Sequence, residues 1–216
     1  VWATLVQRAA REKIGNIKFL TALKTMPPAL HALCGSDKTD GFLCPGHVAV
    51  ITGSDPFARL AERYEKAMVI GGFARSELLR AMTRLVLVAG CKKTGLWNEY
   101  ATVVKPEGNL LAQQAMDEVF EAGSATWRGL GSLPGSGLYI REEYGAWDAG
   151  SRGLDLDRVP PGCLCNRIIL GDALPQQCPF FGKKCTPQHP VGACMVSSEG
   201  SCCITWREGR AGAREE

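Results

Sequence analysis

The chain has 216 residues, of which 45% are hydrophobic and 22% charged, and its formal net charge is +3. A chain of this length can bury about 70% of the surface that it exposes when unfolded, so it does not need disulfide bonds in order to fold. The composition excludes disordered and collagen-like proteins. The charge is too small to indicate a nucleic-acid partner, and no apolar run reaches the length of a membrane span.

Short apolar runs alternate with amphipathic helices along the first 120 residues. The runs predicted as buried strands are Asn16–Ala22, His47–Thr52 and Ala67–Gly71. The predicted helices are Trp2–Glu12, Pro28–Leu33, Asp55–Tyr64, Ser76–Ala89 and Asn109–Phe120. This rhythm predicts an α/β fold with a mostly parallel sheet flanked by helices.

The longest predicted helix, Ser76–Ala89, has one apolar stripe, which we expect to face the sheet. The stripe consists of Leu78, Leu79, Met82, Leu85, Val86 and Ala89.

A glycine-rich stretch from Trp127 to Ile140 lacks the residues of a phosphate-binding loop, because no Gly-Lys-Ser/Thr or G-x-G-x-x-G sequence occurs in it. It is interpreted as a structural crossing, followed by a short helix over Glu142–Ala149. The segment from Gly150 to Gly162 predicts a domain boundary. The sequence thus divides into an α/β body, residues 1–150, and a small cysteine-rich module, residues 151–216.

Six cysteines lie between Cys163 and Cys202, and four of them follow the spacing C-x14-C-x6-C-x16-C. Proline-containing turns between them allow the chain to fold back and bring four thiolates to one metal centre. This pattern favours an iron–sulfur cluster. The absence of a C-x2-4-C knuckle argues against zinc, and disulfides or unreactive core thiols are the third reading. The four cysteines are Cys163, Cys178, Cys185 and Cys202.

Some assignments stay open on spacing alone. Either Cys163 or Cys165 can supply the fourth thiolate, and His189 would serve if one cysteine proved spare. Cys44 and His47 are close in sequence at the start of a predicted strand, but no third residue orients them, so a structural role is favoured over a nucleophilic pair. The cysteine density in a chain of this size favours a cytoplasmic protein over a secreted one.

The segment PQQCPFFGKKCTPQHPVGACMVSSEGSC, residues 175–202, resembles the C-terminal signature of HypD, a family of maturation factors for nickel–iron hydrogenases. Three further segments resemble HypD blocks in the order of the family. They are DGFLCPGHVAVITG (40–53), VVKPEGNLLAQQAMDEVF (103–120) and WRGLGSLPGSGLYIREEY (127–144). The resemblance therefore extends over nearly the whole chain.

The resemblance implies a 4Fe–4S cluster on Cys163, Cys178, Cys185 and Cys202. It leaves Cys165 and Cys194 as a redox pair beside the cluster, similar to the arrangement in ferredoxin–thioredoxin reductase. It also implies work with the partners HypC and HypE, in assembling the iron centre that carries cyanide and carbon monoxide.

The chain departs from the family pattern in two motifs, of the CGGHT and GPGCPVC kinds, which are absent from the 216 residues. Together with the first residue, Val1, this predicts the C-terminal portion of a HypD.

We therefore expect an iron–sulfur scaffold and redox protein in metallocofactor assembly, not a self-contained enzyme. Two alternatives remain at this stage. One is a zinc-stabilised interaction module on an α/β domain. The other is a thiol–disulfide oxidoreductase that uses Cys165 and Cys194.

Overall fold

The computed structural model describes residues 1–127, 129–154 and 160–212. The chain divides into two compact units. The first unit holds Val1–Ala125 and Pro134–Leu154. The second unit holds Thr126–Leu133 and Asp155–Glu216, and within the latter range the structure describes residues 160–212. Part of the predicted boundary segment, residues 155–159, lies outside the described residues.

The elements of the two units confirm a mixed α/β protein. The helices are α1 (Trp2–Arg11), α2 (Met26–Cys34), α3 (Gly46–Thr52), α4 (Asp55–Arg63), α5 (Arg75–Gly90), α6 (Leu110–Val119), α7 (Cys165–Ile169), α8 (Ala193–Val196) and α9 (Ser201–Gly212). The strands are β1 (Gly41–Pro45), β2 (Ala67–Gly71), β3 (Gly95–Asn98), β4 (Phe120–Trp127) and β5 (Gly131–Ile140). Short 3₁₀-helices cover Glu142–Trp147, Ser151–Leu154 and Pro175–Gln177.

The central sheet is parallel, in the order β1-β2-β3, with Leu43 opposite Val69 and Val69 opposite Trp97. Every residue of β2 is buried, because helices cover both of its faces. One face, through Met68 and Ile70, shares a core with α2 and α4. The other face packs beneath α5. The predicted strand Ala67–Gly71 is confirmed with its bounds.

The strand predicted at His47–Thr52 is wrong, since these residues form α3. The strand lies one segment earlier, at Gly41–Pro45. Pro45 has no amide hydrogen to continue the ladder, and it is followed directly by the helix. Gly46 is required there, because a Cβ at this position would lie 2.5 Å from the carbonyl oxygen of Gly71.

The strand predicted at Asn16–Ala22 is also wrong. The segment makes an isolated bridge, between Phe19 and Asp148, instead of a ladder. Ile17 and Leu20 are exposed while Phe19 is buried, so a single side of the segment has a packing partner. Phe19 and Thr21 are both buried, but among the described residues this segment forms a single bridge and no ladder, which is less than a strand requires.

The predicted helix over Ser76–Ala89 is confirmed as α5, but the expected packing face is only partly correct. The buried residues are Ala81 and Val88, whereas Leu79 and Val86 of the stripe are exposed. A Cβ built on Gly71 would lie 2.6 Å from the Cβ of Ala81. Small residues at this contact bring α5 close to the sheet, and Leu79 and Val86 lie on the side of the helix away from it.

The stretch interpreted as a structural crossing contains strand β5, which pairs with β4. Glycine weakens a strand because it has no side chain to pack. Here the ring of Tyr139 covers Gly123 and Gly137, each of whose Cβ positions lies 2.9 Å from a ring carbon. The phenol of Tyr139 also donates a hydrogen bond to the carbonyl oxygen of Ser124 at 2.8 Å. This aromatic cover explains how β4 tolerates Gly123 and β5 tolerates Gly137.

Within the described residues, no helix has both the length and the apolar character needed to cross a bilayer.

Candidate metal centre

The second unit is built from short helices joined by tight turns, and these turns position its cysteines. Around Cys178 and Cys185 the chain reverses, with the amide of Phe181 donating to the carbonyl of Cys178 at 3.0 Å and the amide of Cys185 donating to the carbonyl of Phe180 at 2.8 Å. Gly182, at φ 69°, adopts the left-handed conformation inside this reversal. The loop brings the two cysteines onto one core.

All six cysteines of the motif are buried, with 2 to 8% of their surface exposed. They share a single core with Cys203, Ile168 and Met195, and this core is rimmed by half-buried apolar side chains such as Phe180 and Trp206. These cysteines come from four segments of the chain: α7, the turn at 178–185, α8 and α9. Cys163 lies just before α7. The six cysteines of the motif therefore lie in one buried core.

Burial and neighbouring thiols shift the pKa values of Cys163 and Cys202. Burial is the largest cause that raises the pKa of Cys163, to about 11, and the neighbouring Cys178 and Cys185 raise it further. Burial likewise raises the pKa of Cys202, and the same two cysteines contribute. Both thiols are therefore disfavoured as thiolates unless a positive charge is placed among them.

Cys194 interacts both with a predicted cluster ligand, Cys202, and with its predicted redox partner, Cys165. Its Sγ donates a hydrogen bond to the Sγ of Cys202 at 3.0 Å. A hydrogen bond with the Cys165 thiol is the largest cause that raises the pKa of Cys194, ahead of burial and of the hydrogen bond to Cys202. The predicted redox pair, Cys165 and Cys194, is thus in contact, and one member also touches a predicted ligand.

Two glycines that the sequence analysis did not single out close around the sulfurs. A Cβ on Gly192 would lie 2.7 Å from the Sγ of Cys163 and 3.1 Å from the Cβ of Cys165. A Cβ on Gly129, at φ 84°, would lie 2.5 Å from Ile169 and 3.4 Å from the Sγ of Cys165. The only feature of the sequence that pointed to Gly192 was its position two residues before Cys194. These glycines allow the backbone to approach the cysteines.

Backbone donors also reach the sulfurs. The amide of Val191 donates to the Sγ of Cys185 at 3.3 Å, and an amide hydrogen bond from Cys165 lowers the pKa of Cys163. Such hydrogen bonds favour the thiolate form and tune the potential of sulfur-bound metal. His189 is exposed, and its amide closes a turn by donating to the carbonyl oxygen of Thr186 at 3.0 Å, so its position differs from that of the buried thiols.

Among the residues that the structure describes, no three or more His, Cys, Asp or Glu side chains surround one point as a single metal ion would require. The four predicted ligands share one buried core. Cys44 and His47 lie in different surroundings. Cys44 is buried in the same core as Cys34. His47 is exposed, and its ring contacts that of Phe73 in a tilted arrangement with centroids 4.9 Å apart. A nucleophilic pair at that position is not supported.

Comparison with known proteins agrees with these features. The family model for HypD, described as the hydrogenase formation hypA family, matches residues 1–209. The chain is 37% identical over 223 residues to the hydrogenase maturation factor HypD of Rhodobacter capsulatus, covering 99% of this chain and 59% of that protein. It is 34% identical to HypD of Azotobacter vinelandii, covering 96% of this chain and 58% of the relative.

A third relative, the hydrogenase maturation factor HypD of Escherichia coli K12, is 35% identical over 206 residues, covering 93% of this chain and 55% of that protein. The chain therefore spans somewhat more than half the length of these curated relatives. With a family model matched along nearly its whole length and relatives above 30% identity, the chain belongs to the HypD family of hydrogenase maturation factors.

Proposed function

We propose that this chain binds a 4Fe–4S cluster through Cys163, Cys178, Cys185 and Cys202, and acts as a scaffold and redox protein in the maturation of nickel–iron hydrogenase. One observation carries the assignment of the site: cysteines from well-separated segments share a single buried core. In this role the protein works with HypC and HypE to assemble an iron centre that carries cyanide and carbon monoxide ligands.

The donor set fits a cluster better than a single ion. In a 4Fe–4S cluster each thiolate binds a different iron atom, so the four sulfurs lie around a bulky inorganic core and need not approach one another. Structural zinc requires four ligands at tetrahedral spacing around one ion. The proposed ligands are four cysteines separated by 14, 6 and 16 residues, without the short C-x2-4-C knuckles of structural zinc sites, which favours the cluster over the zinc-stabilised module.

The protein's own contribution is burial, orientation and thiol chemistry. The apolar rim, including Phe180 and Trp206, restricts water at the sulfurs. The amide of Val191 holds Cys185 in place by donating to its sulfur. When bound, the cluster supplies single electrons at a potential set by such hydrogen bonds and by burial.

Cys165 and Cys194 add a two-electron couple next to this site. Joining their Sγ atoms in a disulfide releases two electrons and two protons, and reduction to two thiols takes them back. Their thiols are already in hydrogen-bond contact. Because they are only 2 and 6% exposed, a protein disulfide has little access to them. We therefore favour an internal relay over an independent thiol–disulfide oxidoreductase.

We place this work in the cytoplasm, because thiolate ligands and a reversible thiol pair persist where cellular reductants keep cysteines reduced.

Anaerobic purification of the chain, followed by determination of iron, acid-labile sulfide and zinc per chain, tests the proposal. We expect about four iron atoms and four sulfides, with a broad visible absorption, as the composition of a 4Fe–4S cluster requires. Stoichiometric zinc in a colourless sample would contradict the proposal and support the zinc-stabilised module. Interaction with HypC and HypE is tested separately, by co-purification of each partner with the iron-loaded chain.

A further inference from the structure

The turn between Cys178 and Cys185 lies in a stretch of the chain that has positive charge and no negative charge. Residues 173–198 contain no Asp or Glu, although the whole chain has 22 of them, and Lys183 and Lys184 lie consecutively within this stretch. Both lysines are exposed, and neither forms an ion pair with a described residue. Their two positive charges are therefore not neutralised locally.

The turn places these charges at the rim of the sulfur-rich core. The amides of Lys183 and Cys185 both donate to the carbonyl oxygen of Phe180, at 3.1 and 2.8 Å. Lys184 directly precedes Cys185, and its Nζ lies 5.8 Å from the centroid of the Phe180 ring, where the face of the ring attracts a cation. Phe180 is one of the half-buried side chains that pack against the cysteine core. The ammonium group of Lys184 is thus held next to a side chain that covers the proposed cluster site.

The buried sulfurs also limit how reducing equivalents can enter this unit. Cys165 and Cys194 are 2 and 6% exposed, and Cys178 and Cys185 are 7 and 5% exposed. A reductant therefore has little direct contact with any of these sulfurs. Thiol–disulfide exchange requires attack of one sulfur on another, whereas an electron can cross a thin layer of protein. The reducing equivalents should therefore arrive as single electrons, from a donor bound at the surface of the core.

We propose that the turn at 178–185 docks an acidic electron-donor protein, whose carboxylates face Lys183 and Lys184. This docking rests on the proposed cluster-binding function. In each encounter the donor loses one electron and the cluster gains it. Two successive encounters supply the two electrons that, together with two protons from solvent, convert a Cys165–Cys194 disulfide into two thiols.

The size and charge of the turn suit this kind of partner. Electron-transfer complexes are small and transient, and opposite charges accelerate the encounter more than they tighten the complex. Nucleic acids and anionic membranes are bound by larger clusters of basic residues than one pair of lysines. The turn therefore fits an acidic protein better than a surface rich in phosphate.

Stopped-flow mixing of the cluster-loaded chain with the hydroquinone of an acidic flavodoxin, a one-electron donor, tests the docking. Formation of the flavodoxin semiquinone and bleaching of the cluster absorption should proceed together. The second-order rate constant should fall as salt is added, because the range of the attraction shortens from about 30 Å at 0.01 M to about 8 Å at 0.15 M ionic strength. Binding of oxidised flavodoxin, measured by calorimetry, gives a second readout that needs no electron transfer.

A matched pair of double variants locates the docking surface. Lys183→Glu combined with Lys184→Glu should slow reduction by flavodoxin about tenfold or more, the lower end of the usual effect of electrostatic steering, and should weaken binding of the oxidised form. Lys92 and Lys93 are also consecutive, exposed lysines, and they lie in the other unit. Lys92→Glu combined with Lys93→Glu changes the net charge equally and should leave both quantities nearly unchanged. Reduced methyl viologen, a small cation, should not reduce the first variant more slowly than the parent chain.

Equal slowing by the two double variants would overturn the proposal, since net charge and not the turn would then set the rate. Slower reduction of the Lys183/Lys184 variant by methyl viologen would also overturn it, because the cluster itself would have changed. Loss of binding to phosphatidylserine vesicles, with no change in the flavodoxin rate, would assign the lysines to a membrane surface instead.

Iron and sulfide per chain are determined first for every sample. A chain without them would overturn the proposed function and the docking together. A fully loaded chain that flavodoxin reduces equally fast with and without the two lysines would overturn the docking alone.

Discussion

The Sγ of Cys194 donates a hydrogen bond to the Sγ of Cys202 at 3.0 Å. A thiol of the proposed redox pair is therefore in direct contact with a proposed cluster ligand. Groups in contact do not contribute independently, so substitutions at these two positions should not have additive effects on either metal binding or thiol chemistry.

Replacing Cys178, Cys185 or Cys202 by alanine should abolish retention of the cluster, because one iron loses its protein thiolate. The second unit should also become less stable, since metal binding is coupled to folding. Iron and sulfide per chain measure the first effect, and thermal unfolding measures the second. Cys203→Ala is the matched control, because Cys203 is buried in the same core but is not a proposed ligand.

The control should keep its iron and lose only about 1 kcal/mol of stability, the usual cost of a point substitution. Full iron in one of the three ligand variants would remove that cysteine from the ligand set.

Cys165 and Cys194 should change redox state together. In protein that has been oxidised and then reduced without loss of iron, alkylation and mass spectrometry should find both thiols blocked in the first state and both reactive, after denaturation, in the second. Cys165→Ser should leave Cys194 alkylatable in both states. Cys91 is exposed and should react throughout as an internal reference. Full alkylation of Cys165 in the oxidised sample would rule out the pair.

Gly192→Ala should impair metal binding without removing any ligand. The added methyl group would lie 2.7 Å from the Sγ of Cys163, so the sulfur or the backbone must move, at a cost of about 1–3 kcal/mol. Lower iron content and a lower unfolding midpoint are expected. Gly209→Ala is the matched control, because no atom lies within 4 Å of its Cβ position in α9. There alanine should stabilise the helix by about 0.5–1 kcal/mol. Equal iron loss in both variants would contradict the steric argument.

The stability of the first unit should fall at alkaline pH because of Cys44. Burial raises the pKa of this thiol from 9.0 to about 12, with a further contribution from nearby Cys34. Above pH 9 the unfolded chain releases the proton while the folded chain keeps it, so the folded state loses relative stability as the pH rises from 9 toward 12. The slope for one proton is about 1.4 kcal/mol per pH unit.

Urea unfolding of the chain at pH 8 and pH 10.5 measures this fall. Cys44→Ala should be less stable than the parent chain at pH 8 but should lose less on going to the higher pH. An identical pH dependence in the two proteins would show that Cys44 is not the responsible group.

The sheet illustrates what the sequence could predict. Ala67–Gly71 is aliphatic and buried on both faces, and the strand was predicted with its bounds. His47–Thr52 is richer in β-branched residues than Ala67–Gly71, yet it forms a helix. A short apolar run does not distinguish a buried strand from a buried helix, and here the decision came from Pro45 and from the close approach of Gly46 to Gly71.

At the site, the spacing of the cysteines predicted that they meet, and the structure confirms one buried core. Their division into ligands and a redox pair stays a prediction, since every one of them is buried to a similar degree. Gly129 and Gly192 could not be predicted, because their role depends on which distant backbone approaches which sulfur. The exposure of Leu79 and Val86 on α5 was missed for a similar reason: a helical pattern shows how much of a helix is apolar, but not which part of that surface the sheet covers.

Of the nine buried residues that form the core of the second unit among the described residues, eight contain sulfur: the seven cysteines and Met195. Oxygen-derived oxidants convert thiols to sulfenic and sulfinic acids, and a thioether to a sulfoxide, each more polar than its parent. In an ordinary hydrocarbon core such damage is confined to isolated positions. Here it would convert the interior itself into polar groups, so the lifetime of this unit in the folded state should depend on its exposure to air as much as on temperature.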